Sequence, residues 1–211
     1  MPVIEYLDNP VSKEELLESL CGPVRNWFTA KFPDFTDPQK LAIPTIINGG
    51  NLLLCSPTGS GKTLTAFLTI IDKLTRLALD NNLKNQVYCI YISPIKALAN
   101  DIQRNLIGPL TEIKQKYLPD RAQEIRVGLR TGDTSQSDRQ KMLRKPPHIL
   151  ITTPESMAIA ISSKRFQPII AEVEWLIIDE MHALVPTKRG VHLSLTMAFL
   201  DTHLLNPVQR I

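Results

Sequence analysis

Residues 56–63, Ser-Pro-Thr-Gly-Ser-Gly-Lys-Thr, constrain the fold more than any other part of this chain. They follow an apolar run at 51–55 and open a helical pattern over Lys62–Leu79. A strand, a glycine-containing loop and a helix in this order bind phosphate, because backbone N–H groups and the helix N-terminus surround the anion. Gly59 and Gly61 permit the close approach and the left-handed backbone angles that such a loop needs. The segment therefore predicts an α/β nucleotide-binding fold.

The rest of the chain alternates strand-like and helix-like segments around this loop. Short apolar runs predict strands at residues 51–55, 86–92, 125–129, 148–151 and 173–178. Helical patterns lie between and after them at Lys62–Leu79, 95–117, 135–144, 155–161 and 191–204. This alternation predicts an open, mainly parallel sheet with helices on both faces, with ligands bound at the carboxyl ends of the strands.

Prolines break the first fifty residues into short predicted helices. Ser12 is expected to cap the first helix, with Glu15 as its capping-box partner. Pro23 is expected to open the second helix, and Asp37 with Pro38 the third. We therefore expect a helical segment over residues 1–50 and an ATP-binding α/β domain over residues 51–211.

The residue types of the loop fit a magnesium–ATP complex. Lys62 would neutralise the β- and γ-phosphates, and the Thr63 hydroxyl would bind Mg²⁺. A glycine-rich turn with a solvated lysine is the alternative, and the order of strand, loop and helix argues against it. The predicted ATP-binding residues of the loop are Ser56, Pro57, Thr58, Gly59, Ser60, Gly61, Lys62 and Thr63.

Two adjacent carboxylates follow the apolar run at 173–178, in the sequence Asp179-Glu180-Met181-His182. Burying such a pair is costly unless the charges have partners, and solvated loop carboxylates would be the default interpretation of an isolated pair. Beside a phosphate loop, we expect Asp179 to hold Mg²⁺ through water and Glu180 to orient and deprotonate the attacking water. His182 either links the nucleotide site to a partner domain or packs locally, and the residues leave both possibilities open.

Charge and cysteine content exclude little, but they indicate the compartment. A net charge of +3 is too small to identify a nucleic-acid partner by itself. Cys21, Cys55 and Cys89 are widely spaced, which predicts buried thiols in a reducing compartment rather than disulfides or a metal site. No run is long and apolar enough for a membrane span, and Glu5 and Asp8 do not fit a signal peptide. We therefore predict a soluble, cytoplasmic protein.

Several segments, in a fixed order, resemble the first RecA-like motor domain of superfamily 2 DExH-box helicases. Asp179-Glu180-Met181-His182 resembles helicase motif II, and Phe35-Thr36-Asp37-Pro38-Gln39 resembles the Q motif. Residues 93–99, 131–134 and 152–155 resemble motif Ia, motif Ib and the Thr-Pro-Glu motif. The amino-acid sequences of these segments are most similar to those of the Lhr (large helicase-related) group. Ser56, where the usual phosphate loop has glycine, also fits helicases, whose loops often begin with another small residue.

The resemblance implies ATP-driven 3′-to-5′ translocation on DNA, linked to repair, with ATP and Mg²⁺ as cofactors. It implies that Gln39 selects adenine, since an amide can pair with both N6 and N7. Phe32 or Phe35 would either stack on the base or belong to the core. His182 is the coupling candidate.

The implied partner is single-stranded or partly duplex nucleic acid. A translocating motor has to grip phosphates rather than read bases. The expected nucleic-acid contacts are Ser93, Pro94, Lys96, Arg130, Thr131, Gly132, Asp133, Thr153 and Pro154. Thr153 is equally suited to cap a helix, and both roles are compatible. Lys188 and Arg189, just after motif II, belong either to a solvated face or to a duplex contact, with the solvated face as the default.

A helicase motor also needs a second RecA-like domain that carries an arginine finger, and the 211 residues contain no such segment. We therefore expect a piece of a longer protein that binds nucleotide and hydrolyses it slowly by itself. Two alternatives stay open: an RNA helicase of the DEAD-box or DExH kind, and a nucleotide-switched nucleic-acid-binding module that does not unwind.

Overall fold

In this computed structural model, five strands of the described residues form one sheet. The chain consists of two compact units, and all five strands lie in the second. The first unit is Met1–Asn82 with Gln103–Gln123, and the second is Leu83–Ile102 with Glu124–Ile211. The structure describes residues 4–57, 59–94 and 99–211. The division that we predicted at residue 50 stays a prediction.

The helices and strands are numbered in chain order. The helices are α1 Lys13–Ser19, α2 Gly22–Lys31, α3 Asp37–Ile47, α4 Lys62–Leu79, α5 Ala99–Ile102, α6 Gly108–Tyr117, α7 Gln136–Arg144, α8 Pro154–Ile161, α9 Gln167–Ile170, α10 Met181–Leu184 and α11 Lys188–Asp201, with a π-helical segment at Gln103–Ile107. The strands are β1 Cys89–Ile92, β2 Val127–Arg130, β3 Ile149–Thr152, β4 Trp175–Ile178 and β5 Gln209–Arg210. No helix among the described residues is both long and apolar enough to cross a membrane.

The first three helices begin at or next to the residues that predicted them. The Ser12 hydroxyl accepts the Glu15 N–H at 3.2 Å at the start of α1. Thr36 and Gln39 form a capping box at the start of α3, which satisfies two backbone N–H groups that the helix cannot. The bounds predicted for α4 are confirmed.

The strand predicted at residues 51–55 is wrong. The chain there is irregular, and Leu53 is 70% exposed. A strand needs a neighbouring backbone to pair with, and none of the four pairings of the described sheet involves these residues. The prediction that all three cysteines are buried fails for the same segment, because Cys55 is exposed whereas Cys21 and Cys89 are buried.

The sheet is parallel throughout, with the strand order β2-β3-β1-β4-β5. Every residue of β1 and β3 is buried, as their continuously apolar sequences predicted. β2 lies at an edge, and its Leu129 is 55% exposed. The central strands pack into a core with α8, α9 and α11 that includes Leu150, Met157, Phe166 and Leu176.

His148, which precedes β3, is a fully buried histidine. Its Nδ1 accepts the Arg126 N–H at 3.1 Å. Burial, followed by the nearby Arg126 charge, lowers the pKa of His148 to about 4. The imidazole is therefore neutral near pH 7 and supports the fold rather than titrating in the functional range.

Candidate nucleotide and nucleic-acid site

Two backbone oxygens of the phosphate loop accept hydrogen bonds from the ammonium group of Lys62. Lys62 Nζ donates to the backbone oxygens of Ser56 and Pro57, at 2.5 Å and 2.9 Å. Gly59 and Gly61 have φ angles of +82° and +88°, in the left-handed region that glycine adopts without strain. The loop thus has the two left-handed residues that the glycines predicted, and its lysine contacts the backbone where the loop begins.

The N-terminus of α4 opens directly onto this loop. The first hydrogen bond of the helix runs from the Thr65 N–H to the Gly61 oxygen at 2.9 Å. The amides of Lys62, Thr63 and Leu64 therefore have no carbonyl partner within the helix, as in any helix N-terminus. No acidic residue occupies the first turn. These amides and the helix dipole favour an anion at this position.

The segment at 35–39 is joined to the loop at two points. The Thr36 hydroxyl donates to the Ser60 oxygen at 2.9 Å. A Cβ atom on Gly61 would lie only 2.8 Å from Nε2 of Gln39, so the two residues approach closely, while the φ angle of Gly61 is what requires glycine. Gln39 is 3% exposed, and its Oε1 accepts the Thr36 N–H at 3.0 Å. Its contact with adenine stays a prediction, and the amide already positions the loop.

Phe35 belongs to the core of the first unit. Its ring stacks on Phe28 with centroids 4.0 Å apart, and it is 4% exposed. Phe32 is half-buried and also contacts Phe28, with the ring centroids 5.0 Å apart. Of the two interpretations of Phe35, stacking on a base or membership of the core, the structure favours the core.

In the second unit, the carboxyl ends of four strands lie side by side. Ile92 of β1 lies opposite Thr152 of β3 and Ile178 of β4, and Arg130 of β2 lies opposite Thr152. The Ser93 N–H continues this pairing to the Thr152 oxygen at 3.1 Å. The predicted residues that follow these strand ends are Ser93 and Pro94, Thr131 to Asp133, Thr153 and Pro154, and Asp179 and Glu180. The sheet therefore brings the acidic pair and the predicted nucleic-acid residues to one end of the sheet, the end at which the strands have their carboxyl termini.

Asp179 is held by hydrogen bonds at both carboxylate oxygens. The Tyr91 hydroxyl donates to Oδ2, and the Glu180 N–H donates to Oδ1 at 2.9 Å. Burial and the neighbouring Asp179 charge raise the pKa of the Tyr91 hydroxyl, so it stays a proton donor. Sequence reasoning missed Tyr91 because it looks like one more apolar residue of β1. Only the register of β1 against β4 brings its side chain to Asp179.

Glu180 has an unusual backbone conformation, with φ +51° and ψ +39°. Residues other than glycine rarely adopt this left-handed region, and such strain concentrates at functional sites. The bond from its N–H to Asp179 holds the conformation, and its side chain is one-third exposed. His182 Nε2 lies 3.3 Å from Glu180 Oε2, although His182 itself is mostly exposed. His182 thus makes a specific local contact with Glu180, which fits the interpretation that it packs locally.

Residues 131–134 form a tight turn after β2. The Thr134 hydroxyl accepts the Thr131 N–H at 2.8 Å, and Arg139 of α7 donates to the Gly132 oxygen at 3.1 Å. Gly132 and Asp133 are exposed. Arg130 is instead 7% exposed, and its guanidinium lies 4.8 Å from the centre of the buried Phe166 ring. In this segment the residues of the turn are exposed to solvent, whereas Arg130 is buried.

The segments after β1 and β3 also mix buried and accessible groups. Ser93 is 2% exposed, and its hydroxyl has no hydrogen-bond partner among the described residues. The Thr153 hydroxyl accepts the Ser156 N–H at 3.3 Å and so caps α8, while Pro154 is buried. The capping role of Thr153 is confirmed. Two of the predicted contact residues, Thr58 and Lys96, lie outside the described residues.

Comparison with known proteins places this architecture in a family. The family model described as DEAD/DEAH box helicase matches residues 36–211. The ATP-dependent helicase Lhr-Core of Methanocaldococcus jannaschii is 51% identical over 200 residues, which cover 94% of this chain and 24% of that protein. The Lhr-Core helicase of Sulfolobus acidocaldarius is 53% identical over 194 residues, or 92% of this chain and 22% of that protein.

A solved structure shares the fold as well. The structure of Mycobacterium smegmatis helicase Lhr bound to ssDNA and AMP-PNP superimposes with a TM-score of 0.82 at 42% identity, over 92% of this chain and 24% of that one. The chain thus spans about a quarter of the length of these relatives. The match covers most of the residues and the whole series of strand-end segments, and the RecA-like fold is shared. The chain belongs to the DEAD/DEAH box helicase family.

Proposed function

We propose that this chain is the ATP-binding motor domain of an Lhr-type helicase that couples ATP hydrolysis to 3′-to-5′ translocation on DNA. The observation that carries the proposal is that these groups share the carboxyl-terminal end of the sheet in the second unit. There the acidic pair and the predicted nucleic-acid segments follow adjacent strands. A displacement at the end of one strand can therefore be transmitted over a short distance to the ends of the others. The phosphate loop would bind the phosphates of the nucleotide.

Three groups of the first unit would bind the nucleotide. The amides at the start of α4 would donate to the phosphates, and the Lys62 ammonium group, which contacts backbone oxygens of the loop, would neutralise them. A phosphate would offer the Lys62 ammonium a charged acceptor in place of two neutral carbonyl oxygens, and charge-assisted hydrogen bonds are stronger. Gln39, fixed against Gly61 and Thr36, would contact the adenine with its remaining amide donors.

The oxygen donors fit Mg²⁺, a hard cation that usually keeps several waters and takes one or two protein ligands besides phosphates. Thr63 would contribute its hydroxyl and Asp179 its carboxylate, with water between Asp179 and the ion. Tyr91 and the Glu180 N–H orient that carboxylate. When bound, the ion would neutralise charge on the transferring phosphate. Glu180, which follows Asp179 in a left-handed backbone conformation, would orient the attacking water and accept its proton.

The nucleic-acid side of the proposal rests on backbone-directed contacts. The exposed turn at Gly132 and Asp133 and the start of α8 at Thr153 offer backbone amides and a hydroxyl suited to phosphates rather than bases, whereas Pro94 is buried and has no N–H to donate. The ssDNA in the related Mycobacterium smegmatis structure supports DNA as the strand. The proposal also includes a second RecA-like domain in the complete polypeptide, which would supply the arginine finger, and a cytoplasmic location.

Stimulation of ATP turnover by nucleic acid tests this function. We expect the complete polypeptide to hydrolyse ATP faster with oligothymidine than with oligouridine of the same length, and to separate a duplex that carries a 3′ single-stranded DNA tail. The same duplex with a 5′ tail is the matched control, since a 3′-to-5′ motor cannot load on it.

Each alternative gives a different result in the same assays. Stronger stimulation by oligouridine, with separation of RNA duplexes, would indicate an RNA helicase. Nucleotide-dependent DNA binding without strand separation would indicate a switch module. Either result would contradict the DNA-helicase proposal while leaving membership of the family unchanged.

A further inference from the structure

Arg189 joins two distant segments of the second unit through one guanidinium group. It lies in the first turn of α11, and its Nε donates to Glu155 Oε1 at 2.6 Å. Its Nη2 donates to Glu155 Oε2 at 3.3 Å and to the Pro94 backbone oxygen at 3.1 Å. Arg189 is exposed, as its default interpretation from sequence expected, but its guanidinium group also has specific partners.

The three residues in this contact follow three different strands of the sheet. Pro94 follows β1, Glu155 lies in the first turn of α8 after β3, and Arg189 lies beyond the acidic pair that follows β4. Pro94 and the capping residue Thr153, two positions before Glu155, are predicted nucleic-acid contacts. One side chain thus connects the segment after the acidic pair to two segments that are expected to grip the strand.

The path from the acidic pair to Arg189 is short and tightly packed. The short helix α10 follows Glu180, and the Thr187 hydroxyl donates to the oxygen of its last residue, Leu184, at 2.8 Å. Gly190 lies so close to this turn that a Cβ atom would be 2.4 Å from the Leu184 oxygen. A displacement of α10 therefore has to move the start of α11, and Arg189 with it.

Stability alone does not explain this contact. The side chains of Arg189 and Glu155 are 44% and 50% exposed, and exposed ion pairs contribute little to folding. The geometry is specific, however, because the planar guanidinium meets both carboxylate oxygens and a carbonyl at once. A lysine could supply the charge but not this fork. The hydrogen bond from Arg189 is also the main cause that lowers the pKa of Glu155, so the carboxylate stays ionised.

We propose that Arg189 is a positioning residue that couples the segment after the acidic pair to the nucleic-acid contacts at Pro94 and Thr153. The proposal rests on the proposed motor function and names the residue that transmits the signal. Arg189 contacts neither nucleotide nor nucleic acid in this account, and its effect passes through Glu155 and the Pro94 backbone.

The test compares Arg189→Lys, Glu155→Gln and the double variant in the complete polypeptide, with Lys188→Ala as the matched control on the same turn. The measurements are basal ATP turnover and the oligothymidine concentration that gives half-maximal stimulation. We expect each single variant to raise that concentration on the order of tenfold, within the range that coupling mutations reach. Basal turnover and the thermal midpoint should match those of the unmodified protein, and Lys188→Ala should change nothing.

The double variant separates coupling from independent effects. We expect it to be no worse than either single variant, because both remove the same contact. Normal stimulation of Arg189→Lys, or a parallel fall of basal and stimulated turnover, would overturn the coupling role. If oligothymidine failed to stimulate the unmodified protein, the proposed function as a DNA motor would itself be overturned, which is a distinguishable result.

Discussion

Lys62→Ala is expected to abolish measurable nucleotide binding while the fold persists. Lys62 is the only lysine of the phosphate loop, and its ammonium already lies against the carbonyl oxygens of Ser56 and Pro57. Removing one partner of a charge-assisted contact typically costs about 2–5 kcal/mol, which corresponds to roughly 30- to several-thousand-fold weaker binding. Titration of a fluorescent ATP analogue measures the change directly.

The fold should tolerate this substitution because the side chain of Lys62 is outside the core. Substitutions of this kind usually change the free energy of unfolding by less than about 0.5–1 kcal/mol. Lys73→Ala is a suitable control, since Lys73 is an exposed lysine on the same helix, α4. Unchanged titration by Lys62→Ala, or an equal loss in Lys73→Ala, would show that the loop lysine does not bind the phosphates.

Glu180→Gln should separate ATP binding from ATP hydrolysis. The amide keeps the size of the side chain and its capacity to contact water, but it cannot accept the proton. General-base catalysis contributes roughly 10²- to 10⁴-fold, so we expect a loss of that order in single-turnover hydrolysis with little change in nucleotide affinity. The measurement belongs in the complete polypeptide, where the proposed second RecA-like domain would be included.

The control for this variant comes from the other end of the same strand. Glu174 is an exposed carboxylate that immediately precedes β4, whereas Glu180 follows that strand after Asp179. Glu174→Gln should leave hydrolysis unchanged. If Glu180→Gln hydrolysed ATP at the normal single-turnover rate, another group would have to accept the proton, and the assignment of Glu180 as the base would be wrong.

The sequence predicted those features that depend on local chemistry. The helix cap at Ser12 was visible because a capping side chain and its N–H partner lie three residues apart, and the start of α3 was visible from Asp37 and Pro38. The placement of the acidic pair and the motif residues after strands was visible because buried parallel strands have continuously apolar sequences. The loop glycines were visible because few other residues adopt positive φ angles.

The features that the sequence did not reveal depend on contacts between distant residues. Tyr91 reaches Asp179 only because β1 and β4 pair in one particular register, and Arg189 reaches Glu155 only because α8 and α11 start at the same edge. Composition also misled at residues 51–55, where an apolar run predicts a strand. Apolar composition favours burial but does not supply the neighbouring backbone that a strand requires.

The central claim is that the loop lysine and the acidic pair serve one magnesium-bound nucleotide. An experimental structure of the complete polypeptide with Mg²⁺ and a non-hydrolysable ATP analogue tests it most directly. We predict Lys62 Nζ on the β- and γ-phosphate oxygens, the Thr63 hydroxyl on the ion, and the Asp179 carboxylate one water away from the same ion. A nucleotide in the loop with Asp179 too distant to share its metal through a single water would contradict the account.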